Sequence, residues 1–343
     1  MSDCSLYIHG HGAVTAAGAD GTALYQACVK NEELPTIPFE HAVEGGSRVY
    51  QQRPVSTEIL RAGQPKHPRL RRASNASKFA VIAACQAIGN ERMEKIRSRE
   101  LRIGIVVSFL NGCVNYSNRF FGEVLTDPSL ASPILFPETV FNAPASHIAA
   151  FLECDGPVYT LIGDSTAWFS AITVAEDWIA AGLVDGCLVL CAEEMDWLTL
   201  EGLDLYSRNL VATEGAAAIY VEATPSGISM EKLHGPFPYT DSDERRLAMS
   251  EAWSAIQDRA EGILVDGLSS IPRLDRDEVA VTRDWTGARL SPAAVLGEGM
   301  GIRCGLQTIA AIEALGSDHE SATIFAAGGN QQAFSARLTR HRP

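Results

Sequence analysis

No uninterrupted apolar run in the chain approaches the roughly 18 residues that span a bilayer, so no transmembrane helix is expected. The opening run Met1–His9 lacks both a basic stretch and an apolar core, so a signal peptide is not expected and a cytoplasmic location is. Cysteine is present without the spacing that binds metal or cycles redox. Cys4, Cys28, Cys85, Cys113, Cys154, Cys187, Cys191 and Cys304 are scattered, no C-x-x-C pair occurs, and Cys187 and Cys191 lie along one expected strand. Buried reduced thiols are the expectation. The 8 histidines form no H-x-x-x-H pattern, and neither a metal nor a cofactor is expected. Basic residues are outnumbered, 28 against 42 acidic, for a net charge of −14, which argues against nucleic acid as a partner.

What is there is an ordinary globular composition, 46% hydrophobic and 20% charged over 343 residues, enough to bury a large core as one α/β unit or two fused halves. Two basic gatherings interrupt the acidic balance. One is Lys66–Arg72, with Arg69, Arg71 and Arg72; the other is the Arg92, Lys95, Arg97, Arg99, Arg102 series. They read either as a contact for an acidic partner or as solvated surface.

Strand and helix patterns alternate along the chain. Tyr7–Thr15 reads as a strand into a Gly-rich turn, followed by a helix over 20–30. Residues 31–72 hold Pro35, Pro38, Pro54, Pro65 and Pro68 and little periodicity, which predicts an extended surface excursion. Ser74–Ile88 is an amphipathic helix with Phe79, Ile82, Ala83 and Ala87 on one face, and Arg102–Ser108 a buried strand. Further helices are expected over 245–256 and 304–315, and further strands at Ile263–Val265 and 322–327, the last running into Gly328-Gly329-Asn330. This alternation predicts a mostly parallel sheet covered on both faces.

The most informative stretch runs from Gly156 to Glu194. A short β-rich run ends at Ile162, then come Gly163-Asp164-Ser165-Thr166, an amphipathic helix ending at Gly182, and a second apolar run, Asp185–Glu194. Strand, tight turn and helix is how α/β enzymes raise a nucleophile at a helix N-terminus, where free N–H groups favour negative charge. Asp164-Ser165-Thr166 equally fits a buried serine capping that helix. Ahead of it stand a Phe/Tyr-bearing helix near 116–125, Ser132-Pro133, Phe136-Pro137, Asn142 and Gly156-Pro157, and behind it Glu214-Gly215-Ala216-Ala217.

In this order and spacing these motifs resemble the β-ketoacyl synthases, the thiolase-fold condensing enzymes of fatty acid and polyketide assembly. The resemblance covers nearly the whole chain and is strongest over 130–225. It implies two pseudo-repeated β/α halves, 1–227 and a trimmed 228–343, layered as an αβαβα sandwich. It also implies a nucleophilic Cys seventeen residues before the helix-ending Gly, which counted back from Gly182 is Ser165. The family's two His positions fall on Asp266, in Asp266-Gly267-Leu268-Ser269, and on Glu298, in Gly297-Glu298-Gly299. The supporting Lys falls on Ala293, and the Gly-Phe-Gly-Gly turn on Ala326-Ala327-Gly328-Gly329. His234-Gly235 stands too soon after Glu214-Gly215 to be the catalytic turn and reads as structural.

A serine needs a base to attack a thioester, and two carboxylates would repel a malonyl carboxylate and its enolate where two His would stabilise them. The resemblance therefore implies a catalytically degenerate subunit of the chain-length-factor kind. Such a subunit would pair with an active ketosynthase, or with itself, through the strand Val158–Gly163. Its acyl carrier protein would meet Arg69, Arg71 and Arg72, and Trp168, Phe169, Ala327, Gly328 and Gly329 would line the tunnel. The alternative is an acyltransferase or thioesterase working through Ser165 with Asp266 or Glu298.

Overall fold

The computed structural model describes residues 6–231, 233–256, 262–317, 319–329 and 331–341; Cys4 and the Asn330 of the Gly-Gly-Asn turn lie outside them. Helices Asn75–Arg97 and Ala143–Leu152 cover one face of the strands Leu6–Val14, Ile103–Phe109, Gly186–Glu193 and Gly215–Glu222. Helices Ala167–Ala180 and Arg303–Ser317 fill the middle, and beyond them lie Ile263–Val265, Ser321–Ala327 and Gln332–Arg340. Helix Ser242–Ala255 closes the far side. This is the expected αβαβα layering.

The sheet is mixed rather than mostly parallel. Each half has a parallel trio, Val158–Ile162, Ile103–Phe109 and Gly186–Glu193 in the first and Ala288–Leu290, Ile263–Val265 and Ser321–Ala327 in the second. Gly215–Glu222 and Gln332–Arg340 then return antiparallel beside each trio, the first after helix Trp197–Tyr206 and the second directly after Ser321–Ala327. Ile228–Met230 pairs with both Leu6–Val14 and Gln332–Arg340 and so stitches the halves into one eleven-stranded sheet.

Local chemistry explains the main elements. Ser74 Oγ accepts the Ser77 N–H at 3.1 Å and starts the first long helix, whose Phe79, Ile82, Ala83 and Ala87 are fully buried. That helical run continues past Ile88 to Arg97 across Gly89, whose φ of 72° only glycine adopts readily. The segment 31–72 is more ordered than its prolines suggest. Ile37–Val43 and Gly46–Arg53 form a hairpin joined by Ala212–Thr213, and Thr57–Gly63 is a helix capped by Ser56. Pro38 is tolerated because the hairpin's outer strand is a sheet edge.

The two basic gatherings part company. Lys95 pairs with Glu91 at 2.6 Å, Arg102 with Asp185 at 2.9 Å, Arg99 with Asp155, and Arg92 lies over the Tyr220 ring. Arg69, Arg71 and Arg72 are exposed and form no ion pair among the described residues. They line a groove of about 540 Å³ with Ile134, Pro137 and the His147–Glu138 pair, bonded at 2.9 Å. No described helix is long and apolar enough to cross a membrane, and no described cluster of His, Cys, Asp and Glu could hold a metal.

Candidate active site

Strand Val158–Ile162 delivers Gly163-Asp164-Ser165-Thr166 to the start of helix Ala167–Ala180. The turn is held by Asp164, not Ser165: Asp164 Oδ1 accepts the Thr166 N–H at 3.0 Å and the Thr166 hydroxyl at 2.5 Å. Ser165 is therefore not the cap. It is 3% exposed and lies in the wall of a cavity of about 300 Å³. Gly328, from the turn after Ser321–Ala327, lines the same cavity; a Cβ there would stand 2.0 Å from Asp164 Oδ2, so only glycine allows this approach.

Arg303 is the centre of the site. It opens helix Arg303–Ser317, and its Nη2 donates to Ser165 Oγ at 3.2 Å and to the Ala327 carbonyl at 2.6 Å. Its Nη1 donates to Glu298 Oε2 at 3.3 Å. Burial works against this charge, but Glu298, and with it Glu278 and Asp164, outweighs the penalty and keeps the guanidinium protonated. Cys304, the next residue, is fully buried beside Ser165, and burial pushes its thiol up to about 12, which makes it inert.

Glu298 and Asp266 have different fates. Glu298 sits in the cavity wall, paired with Arg303 and accepting the Met300 N–H at 2.7 Å. Asp266 is fully buried outside that wall. Its Oδ2 takes Arg289 Nη1 at 2.8 Å, and its Oδ1 takes the Ser291 hydroxyl at 2.7 Å and the Leu268 N–H at 3.1 Å. Burial raises its pKa and these partners oppose the rise. The structure thus brings Ser165, Glu298, Gly328 and Gly329 together and leaves Asp266 as a structural ion pair.

The other expected residues scatter. Trp168 and Phe169 are fully buried in the core, Trp168 Nε1 donating to Thr308 Oγ1 at 2.9 Å and Phe169 stacking on Phe334 at 5.3 Å. Neither lines the cavity. Ala327 contributes only its carbonyl, to Arg303. Ala293 lines a neighbouring cavity of about 240 Å³ with Arg53, and the two cavities share Leu210, Ser269 and Glu298. His234 lies on a strand paired with Gln332–Arg340, away from the cavity.

Two cavity residues are not visible as site residues in the sequence. Arg303 stands directly before an apolar helix and carries no motif of its own. Glu278 lies in Arg273-Leu274-Asp275-Arg276-Asp277-Glu278, which reads as a solvated face. It is 6% exposed, and burial, with Asp266 nearby, pushes its carboxyl up to about 7. A half-buried Arg can fix charge and a buried Glu can hold or release a proton; neither replaces a thiolate.

No family profile and no curated protein matches the chain in sequence. Its fold matches many solved structures. The ishigamide ketosynthase/chain length factor has a TM-score of 0.78 at 15% identity over 98% of this chain and 100% of that one. A β-ketoacyl synthase from Burkholderia phymatum STM815 gives 0.76 at 18% identity over 98% and 100%. The ketosynthase ApeO in complex with its chain length factor ApeC, from Xenorhabdus doucetiae, gives 0.78 at 15% over 98% of both. The chain has the thiolase-like fold of the ketosynthases.

Proposed function

We propose that this chain is a non-condensing subunit of a ketosynthase-like assembly, of the chain-length-factor kind, that pairs with an active ketosynthase. The observation that carries this reading is the Arg303 guanidinium lying on Ser165 Oγ. A nucleophile needs a free lone pair and a base. Here one of the hydroxyl's two lone pairs accepts from a fixed cation that gives up no proton at physiological pH, and no histidine lines the cavity among the described residues. Two of the similar structures are ketosynthase and chain length factor assemblies, which supports a role by pairing.

The pairing surface in this reading is the open edge of the sheet at Val158–Ile162. Val158, Tyr159 and Ile162 expose 41%, 53% and 60% of their surface, a bare apolar edge that stable proteins normally cover. The acyl carrier protein would dock on Arg69, Arg71 and Arg72, three exposed cations with no ion pair among the described residues; a similar structure holds a carrier protein in complex with its ketosynthase. The division at 227/228 into two thiolase-like halves belongs to the same reading.

The test is co-expression with an active ketosynthase from the same gene cluster. A stable heterodimer that makes product, while the lone chain makes none, is the expected result. Condensation product from the purified lone chain would overturn this reading, and an acyl adduct on it that disappears in Ser165→Ala would support the acyltransferase or thioesterase alternative.

A further inference from the structure

Lys30, Lys66 and Lys95 stand exposed on the surface, and Lys95 is held by Glu91 at 2.6 Å. Lys78 is placed differently. It lies near the start of helix Asn75–Arg97, is half-buried, and lines a cavity of about 310 Å³ that shares no residue with the one at Ser165. Among the described residues its Nζ makes a single long hydrogen bond, to Asn75 Oδ1 at 3.4 Å, and no ion pair.

The acids of that wall are committed to the backbone. Glu194 takes the Asn115 N–H at 3.0 Å and the Ala76 N–H at 3.2 Å, and Glu214 takes the Val55 and Met195 N–H groups, each at 3.1 Å. The Tyr116 hydroxyl is turned to the Arg72 carbonyl at 2.6 Å. Phe39, Pro54, Ala73 and Met195 make the rest of the wall apolar. Burial disfavours the ammonium and lowers its pKa, and the charges of Glu194 and Glu138 oppose this without cancelling it. The cavity therefore holds an amine that loses its proton more readily than a solvated lysine, and the neutral amine is the form that attacks a carbonyl.

We propose that Lys78 is an acylation site, its amine taking a short uncharged acyl group from a thioester within this cavity. The nitrogen lone pair attacks the thioester carbonyl carbon, the C–N bond forms as the C–S bond breaks, and one amine proton passes to the departing thiolate. An amide and a thiol result, with no further reactant. A volume of about 310 Å³ is at the low end of ligand sites and limits the acyl chain to a few carbons. A malonyl group would bring its own carboxylate into a desolvated space beside Glu194 and Glu214, whereas a butyryl group would rest on Phe39, Pro54 and Met195. The inference stands on this cavity alone and does not depend on pairing with a ketosynthase.

Incubation of the full chain with the butyryl and malonyl thioesters of N-acetylcysteamine, followed by peptide mapping by mass spectrometry, tests it. The butyryl amide should build up on Lys78 several-fold faster than on Lys30 or Lys66, and its rate should level off at a lower pH than theirs. Malonyl transfer to Lys78 should be slower than butyryl transfer. Lys78→Arg keeps the cation and should lose the adduct. Gln52→Trp, which extends a ring into the cavity and leaves the amine in place, is the second variant should the first not fold, and it should slow labelling at Lys78 alone. Equal rates at the three lysines, a Lys78 pH profile like that of Lys30, malonyl transfer as fast as butyryl, or labelling of Lys78 unchanged in folded Gln52→Trp would overturn the proposal.

Discussion

Arg303 Nη2 stands 3.2 Å from Ser165 Oγ and 2.6 Å from the Ala327 carbonyl, so one nitrogen joins the helix turn to the strand end across the cavity. The guanidinium bridges those two walls and donates to the serine hydroxyl oxygen, which the buried Cys304 thiol also meets. In the proposed reading, this relationship, more than the identity of Ser165, separates the site from a nucleophilic one.

Ser165→Cys should not give the chain condensing activity. Arg303 would hold a thiolate at that position, but as a buried ion pair, and the wall has Glu298 where an enolate needs a donor. Malonyl-carrier decarboxylation followed by mass spectrometry is the check; turnover above background would show that Arg303 moves aside.

Removing the cation should hurt more than removing the serine. Arg303→Met leaves Glu298 without its partner and removes the charge that acts on Asp164 and Glu278, a loss of up to about 3 kcal/mol, the low end for broken buried pairs, against less than about 1.5 kcal/mol for Ser165→Ala. Urea denaturation of both variants measures the difference, and equal midpoints would contradict it.

Stability should fall as pH rises from about 5 to 8 for the contribution of the buried glutamates. Burial lifts Glu193 to about 8 and Glu214 and Glu278 to about 7, from 4.5, so the folded state holds protons that the unfolded chain has released. Their contribution is fully present below the unfolded value and is lost as pH climbs through the folded one, at most about 1.4 kcal/mol per pH unit for each group. Glu278→Gln should flatten part of that slope in urea midpoints measured across this window.

The edge strand is best tested at Tyr159 and Ile162, whose side chains are exposed, and not at Leu161, which packs on the core. Tyr159→Lys with Ile162→Lys should turn an associated species into monomer in sedimentation without lowering the melting temperature by more than a few degrees. The interface lost would be of the large class, roughly 2,000 Å² or more. A wild-type chain already monomeric at micromolar concentration would rule out pairing with itself and leave only the heterodimer.

Trp168→Ala should cost about 3–5 kcal/mol, as a fully buried aromatic does, and leave acyl binding unaltered. A change in ligand length preference without loss of stability would place Trp168 in a tunnel after all.

The layered α/β fold was legible because periodicity is local: Phe79, Ile82, Ala83 and Ala87 repeat at helical spacing and are buried together, and the turn at 163–166 sits between a strand and a helix as its residues suggest. The antiparallel returns were less legible, since strand direction depends on which strand the chain meets next and not on its own residues. The hairpin at 37–53 was obscured because its one proline, Pro38, lies on an edge strand, where the missing N–H removes no ladder bond. The sequence by itself determined the fold class, and through the resemblance it pointed to Ser165 at the nucleophile position. Only the tertiary structure decided which acids face it. Asp266 and Glu298 stand at matching motif positions, yet Arg289 and Ser291 draw one into the protein and Arg303 holds the other at the cavity. Arg303 and Glu278 gain their roles from partners 138 and 11 residues away, Ser165 and Gly267, a proximity that spacing along the chain does not encode.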